Sequence, residues 1–144
     1  MLKVLEKVVM HQLMSHLHLH NLLSEFQSAY RPHHSTETAL VRVVNDLLSA
    51  IDNGKVSILT LLDLSAAFDT IDHDILLHRL QHVFGIQGTA LSRFKSYLTD
   101  RKQIVSVNGR LSKSFQLLYG VLQGAVLGPI LFTKYTQPLT HIIK

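Results

Sequence analysis

The stretch Thr60-Leu61-Leu62-Asp63-Leu64-Ser65-Ala66-Ala67-Phe68-Asp69-Thr70-Ile71-Asp72-His73 decides how the rest of the chain is read. Residues 57–62 form an uncharged, mostly apolar run that ends at the carboxylate of Asp63. That pattern predicts a strand buried on both faces and opening into a site. An ionised carboxylate buried without a partner is strongly unfavourable. Asp63 is therefore either paired or metal-binding, or it caps the turn that follows.

Working outward, 144 residues is one domain's worth of chain or a piece of a larger domain. With 47% hydrophobic and 17% charged residues it can bury a core, which excludes a disordered tail. The net charge of +4 suits a polyanionic partner without requiring one. The absence of cysteine removes disulfides, thiolate zinc sites and thiol catalysis together. No apolar run approaches the roughly 18 residues a bilayer crossing needs. Lys3, Glu6, Lys7 and His11 interrupt the N-terminal apolar residues, so no secretory signal is expected. These features predict a soluble intracellular protein.

Leu2, Leu5, Val9, Leu13 and Leu17 follow three-and-four spacing, which predicts an amphipathic helix over residues 2–20. His16, His18 and His20 alternate along it and are read as polar-face residues rather than a metal site. Arg31-Pro32-His33-His34 breaks the chain, and Ser35 is placed to cap a helix over residues 36–51. Leu40, Val43, Val44, Leu47, Leu48 and Ile51 give that helix an apolar face, and Asp52-Asn53-Gly54 ends it. Arg31 feeds the helix N-terminus, where backbone N–H groups and a guanidinium suit a phosphate; an ordinary surface arginine is the alternative.

Beyond Asp63 a tight passage over residues 65–68 leads to a helix over 73–84, marked by Ile71, Ile75, Leu76, Leu80 and Val83 and stopped by Gly85. A helix over 89–98 turns Leu91, Phe94, Tyr97 and Leu98 inward. Arg93, Lys95, Arg101 and Lys102 form the densest basic cluster, either a solvated face or a phosphate track. Residues 103–107 alternate and Asn108-Gly109 signals a hairpin, with 114–118 returning as the partner strand. The glycine-spaced segment 120–128 then enters an apolar helix that tolerates Pro129 only in its first turn.

Three segments carry a resemblance. Leu62-Asp63-Leu64-Ser65-Ala66-Ala67-Phe68-Asp69-Thr70-Ile71-Asp72-His73 resembles the first catalytic-aspartate motif of reverse transcriptases from non-LTR (LINE-type) retrotransposons. Gly120-Val121-Leu122-Gln123-Gly124-Ala125-Val126-Leu127-Gly128-Pro129-Ile130-Leu131-Phe132 is similar to the next palm motif, usually written GVPQGSVLGPLLF. Upstream, Phe26-Gln27-Ser28-Ala29-Tyr30-Arg31-Pro32-His33-His34-Ser35-Thr36-Glu37-Thr38-Ala39-Leu40 is similar to the family's FQSGFRPxxSTETAL segment. The order and spacing match over nearly the whole chain.

The resemblance implies an α/β (α+β) fold, part of the fingers and palm of a polymerase right hand, with a small mostly antiparallel sheet backed by helices. Residues 1–55 would be fingers-side helices and 56–144 the first part of the palm. It implies RNA-directed DNA polymerisation with Mg²⁺, an RNA template, a DNA primer and a dNTP, without a membrane, in nucleus or cytoplasm. Asp63 and the Leu64 carbonyl would bind metal. Phe68 would lie beneath the sugar and exclude a ribose 2′-hydroxyl, and Gln123 and Gly124 would line the nucleotide and template side. Arg31, Arg93, Lys95, Arg101 and Lys102 would hold nucleic acid.

Two positions depart from the pattern: Leu122 stands where proline is usual and Ala125 where serine is usual. The family's Tyr/Phe-x-Asp-Asp turn and the upstream Arg-Pro-Ile motif are both absent, so the chain reads as truncated at both ends and inactive by itself. The alternatives are a non-catalytic nucleic-acid-binding remnant and an unrelated α/β domain in which Asp63 is structural.

Overall fold

The computed structural model describes residues 2–142, as six helices and four short strands among the described residues. In chain order these are α1 (Leu2–Leu19), α2 (Thr36–Asp52), α3 (His73–His82), α4 (Gly88–Leu98), β1 (Arg101–Gln103), β2 (Ser106–Val107), β3 (Arg110–Leu111), β4 (Phe115–Leu117), α5 (Gly128–Thr136) and α6 (Leu139–Ile142). The expected α+β class with a small antiparallel sheet is what is observed. Two compact units form: residues 2–22 with 66–142, and Leu23–Ser65. This partition differs from the boundary expected near residue 55, because α1 packs with the later part of the chain.

The larger unit holds the core. Leu13 and Leu17 from α1, Ile71, Leu76 and Leu80 from the α3 region, Phe94 and Leu98 from α4, and Leu127, Ile130 and Leu131 around α5 are all buried. Helix α3 contacts both α4 and α5. The N-terminus of α3 is set by Asp72, whose carboxylate accepts the Ile75 N–H at 3.0 Å, and its exit by Gly85 at a φ of +67°. Pro129 occupies the first turn of α5, as the missing donor of a proline requires.

Several expected core positions differ. Leu5 is exposed and Glu6 is buried at 4% exposure, because the inward stripe of α1 runs through Glu6, Met10, Leu13 and Leu17. Ile75 and Val83 are exposed, while His73 is buried. His16 and His20 stand four residues apart, and their rings meet at 4.6 Å, a pairing that the alternating reading overlooked. The His16 Nε2 is engaged with the Phe84 carbonyl at 2.7 Å.

The hairpin forms with a different register. Asn108 and Gly109 both take positive φ, +51° and +78°, which is the backbone of a tight hairpin turn. The partner of β2 is β3 immediately beyond that turn, whereas β4 pairs with β1 in the register Arg101↔Leu117. Between the two ladders Ser112 bridges the break. Its N–H donates to the Val105 carbonyl at 2.9 Å, and its Oγ accepts the Val105 N–H at 3.0 Å.

In the smaller unit, α2 begins at the expected cap. Ser35 Oγ accepts the Thr38 N–H at 3.2 Å and Thr38 Oγ1 accepts the Ser35 N–H at 2.9 Å. The apolar stripe of α2 does not form a core face, since none of its residues is buried. The strand expected over residues 57–63 is also absent: residues 55–64 join no ladder, with Val56 at 95% and Leu61 at 84% exposure. A strand exists only when a neighbour takes its N–H and C=O groups, and an apolar run lacks the means to supply one.

The contact that organises the larger unit lies between residues 68–73 and 119–121. The Gly120 N–H donates to the Ile71 carbonyl at 2.7 Å and the Val121 N–H to the Phe68 carbonyl at 2.9 Å. Gly120 has a φ of +86°, and a Cβ there would stand 3.0 Å from the Asp69 Cα. Gly120→Ala therefore combines left-handed backbone strain with a collision against main chain that has nowhere to move. Chemical denaturation of the variant is expected to show a loss of about 2 kcal/mol or more; an unchanged midpoint would contradict this packing.

Candidate nucleotide site

The turn at residues 65–69 places Phe68 and Asp69. Ala66 adopts a φ of +54°, and its carbonyl accepts the Asp69 N–H at 2.8 Å. The Phe68 ring is half-buried and packs on Phe132 with centroids 5.2 Å apart and planes tilted by 52°. The middle of α5 thus backs the aromatic. Because Val121 is hydrogen-bonded to Phe68, the loop that carries Gln123 is held beside the same turn. The Gln123 amide nitrogen donates to both Asp69 carboxylate oxygens, at 3.1 and 3.2 Å. Gly124, at a φ of +76° with open space around its Cα, leaves the backbone approachable.

The Gly120 carbonyl is the third fixed point of this loop. It faces the buried His73 Nε2 at 2.7 Å and receives the Arg101 Nη1 at 3.4 Å. Arg101 is half-buried at the start of β1, so one cation of the basic cluster contacts the loop directly. Lys102 is its exposed neighbour on β1. Arg93 and Lys95, both exposed on α4, are two positions apart, or about 200° around the axis. They cannot share one face. Arg93 instead borders a cavity of about 550 Å³ lined by Leu5, Val9, Leu13, Ile86 and Phe94.

Asp63, Leu64 and Arg31 belong to the smaller unit. Asp63 is exposed and accepts no hydrogen bond among the described residues. Leu64 is half-exposed. The Arg31 Nη1 donates to the Ser24 carbonyl at 3.0 Å, which braces the loop before α2. Among the described residues no three acids or histidines stand together as a metal cage. The Asp63 carboxylate and the Leu64 carbonyl are hard oxygen donors of the type Mg²⁺ takes, but they are too few to fill an octahedral shell. Asp72 is committed to capping α3 and Asp69 to Gln123.

Sequence reasoning missed Glu6, Tyr97 and His73. The Glu6 Oε2 accepts the Val126 N–H at 2.6 Å, and the Tyr97 hydroxyl approaches Oε1 at 3.5 Å. The available signal was phase: Glu6 falls on the stripe of Met10, Leu13 and Leu17, where an acid must have a partner.

With this geometry in place, the comparisons define the class. The description "Reverse transcriptase (RNA-dependent DNA polymerase)" matches residues 1–144, and the chain belongs to this family. Its relatives are of the LINE type. It is 33% identical over 140 residues to the RNA-directed DNA polymerase from mobile element jockey of Drosophila melanogaster, covering 96% of this chain and 15% of that protein. It is 30% identical over 137 residues to the probable RNA-directed DNA polymerase from transposon BS of the same organism, covering 95% of this chain and 15% of that protein. A Pol polyprotein from the type-1 retrotransposable element R2 of Popillia japonica is 35% identical over 79 residues, covering 55% of this chain and 13% of the polyprotein. The chain thus spans about 15% of the length of the first relatives. No solved structure matches it. No helix among the described residues is long and apolar enough to cross a membrane.

The Tyr97 phenol is pushed up to about 12, first by its partial burial and then by the charge of Glu6, with Arg101 opposing and the Glu6 hydrogen bond adding. An unfolded tyrosine titrates near about 10. The folded state therefore keeps the proton longer than the unfolded one. This contribution to stability is complete below about pH 10 and is lost as the pH rises through about 12. Tyrosinate absorbance, taken as wild type minus Tyr97→Phe, is expected to titrate near 12; a difference curve centred near 10 would contradict the burial and the Glu6 contact.

Proposed function

We propose that this chain forms part of the nucleotide and template site of an RNA-directed DNA polymerase of LINE type. The observation that carries the reading is the clamp between residues 68–73 and 119–121, which holds Phe68 and the Gln123-Gly124 turn side by side in one unit. The reaction is nucleotidyl transfer: a primer 3′-oxygen bonds to the α-phosphorus of a dNTP as the bond to the departing pyrophosphate breaks. Bound Mg²⁺ supplies stabilisation of charge on the attacking and leaving oxygens.

The chain's own residues bind and orient. Asp63 and the Leu64 carbonyl contribute oxygen ligands to the metal. Phe68, stiffened by Phe132, presents a ring edge against the sugar and disfavours a 2′-hydroxyl. Gln123 and the open backbone of Gly124 meet the nucleotide and template. Arg31, Arg93, Lys95, Arg101 and Lys102 contact phosphates of the RNA template and DNA primer.

A single carboxylate does not hold two metal ions. The 144-residue chain, given a primed RNA template, dNTPs and Mg²⁺, is accordingly expected to yield no extended primer. It is expected to retain the primed template on a filter in a salt-dependent manner, losing about tenfold or more in affinity between 50 and 200 mM salt. Primer extension by the chain would refute the first statement, and retention insensitive to salt would refute the phosphate contacts.

A further inference from the structure

The turn that carries Gln123 and Gly124 lacks a local anchor at its far end. Leu127 is the N-cap of α5 and offers no side-chain oxygen, and Ala125 has no hydroxyl. Glu6, 120 positions away on α1, fills that role. The residue is 4% exposed, and the Val126 N–H is donated to its carboxylate at 2.6 Å, a short, charge-assisted bond. Tyr97 on α4 stands at the other oxygen. Met10, Leu13 and Leu17 continue the same stripe with apolar side chains, so an apolar residue at position 6 would fit the helix and avoid the desolvation cost. The contact to Val126 is what an acid supplies there and a leucine does not.

We propose that Glu6 is a positioning residue for the nucleotide site, fixing the Val126 end of the turn while Asp69 fixes the Gln123 end. Gly120, held against the Phe68-Asp69 backbone, fixes the entry to the loop. The loop is then restrained at three points and closed by the Ala125 N–H on the Leu122 carbonyl at 3.1 Å, which leaves Gly124 exposed at its tip, where the backbone would face a nucleotide. The inference rests on reading Gln123 and Gly124 as nucleotide contacts.

The test compares the full 144-residue chain with Glu6→Gln, which keeps an uncharged acceptor, and Glu6→Leu, which keeps none. Circular dichroism verifies folding, hydrogen exchange reports the Val126 amide, and photolabelling by 8-azido-dATP with Mg²⁺ reports the peptide containing Gln123. Val126 exchange is expected to quicken about threefold in Glu6→Gln and about tenfold or more in Glu6→Leu, with α3 amides unchanged. Labelling is expected to fall in the same order. Wild-type exchange at Val126 in Glu6→Leu overturns the proposal, and so does an equal rise at Val126 and throughout α3, which would make Glu6 a support of the fold alone. Should Glu6→Leu fail to fold, unchanged Val126 exchange in Glu6→Gln overturns it. If the wild-type chain takes no label while Val126 responds as described, the nucleotide reading fails and the tether from Glu6 to the turn stands.

Discussion

The close approach of Gly120 to the Phe68-Asp69 backbone is the constraint on which the larger unit depends. It joins two segments some fifty positions apart by main-chain hydrogen bonds, Gly120 to Ile71 at 2.7 Å and Val121 to Phe68 at 2.9 Å. Each such bond contributes only about 1 kcal/mol net, but a buried N–H or C=O left without its partner costs about 1–3 kcal/mol. The Gly120 carbonyl is therefore satisfied as well, by His73 and Arg101. A side chain at position 120 would push the two strands of backbone apart and break the set together. From this contact follow the location of the Phe68 ring, the place where α3 starts and the path of the loop toward α5.

Much of this was legible in the sequence wherever the signal was local. Ser35 and Thr38 cap α2 because their side chains reach backbone groups within one turn. Asn108-Gly109 turns the chain because both residues accept positive φ. Phe68, Gln123 and Gly124 were legible through motif resemblance, and the structure sets them in one unit. What the sequence hid was pairing at a distance. Residues 57–62 have the composition of a buried strand, yet strand formation is decided by a neighbour and not by composition. The return strand β4 skipped the turn-proximal register for the same reason: three residues of β1, before the break at Ile104-Val105, offered it a ladder. Glu6 was unreadable because a carboxylate on an apolar stripe announces a partner without saying which.

The smaller unit shows the cost of an unpaired pattern. Val56, Ile58, Leu61 and Leu62 are all more than 70% exposed, and each would gain about 1.5–3 kcal/mol from full burial. Together with the exposed stripe of α2 these residues leave much apolar surface in water, and residues 56–64 join no ladder that would pair their backbone donors and acceptors. The composition of the segment is that of a strand, and its exposure shows that no neighbour among the described residues covers it.

The acids of the chain divide by what already holds them. Asp72 spends its carboxylate on the Ile75 N–H, Asp69 on the Gln123 amide, and Glu6 on Val126 with Tyr97 nearby. Each of these contacts orders a helix start or a loop, and each withdraws lone pairs that a divalent cation would need. Asp63, like Asp46, Asp52, Asp74 and Asp100, is exposed and accepts no side-chain hydrogen bond among the described residues. The bonded acids order elements of the larger unit, whereas these exposed ones keep their carboxylate oxygens toward solvent. Within residues 63–73 the second and third acids are therefore scaffolding: Asp69 holds the Gln123 turn and Asp72 starts α3.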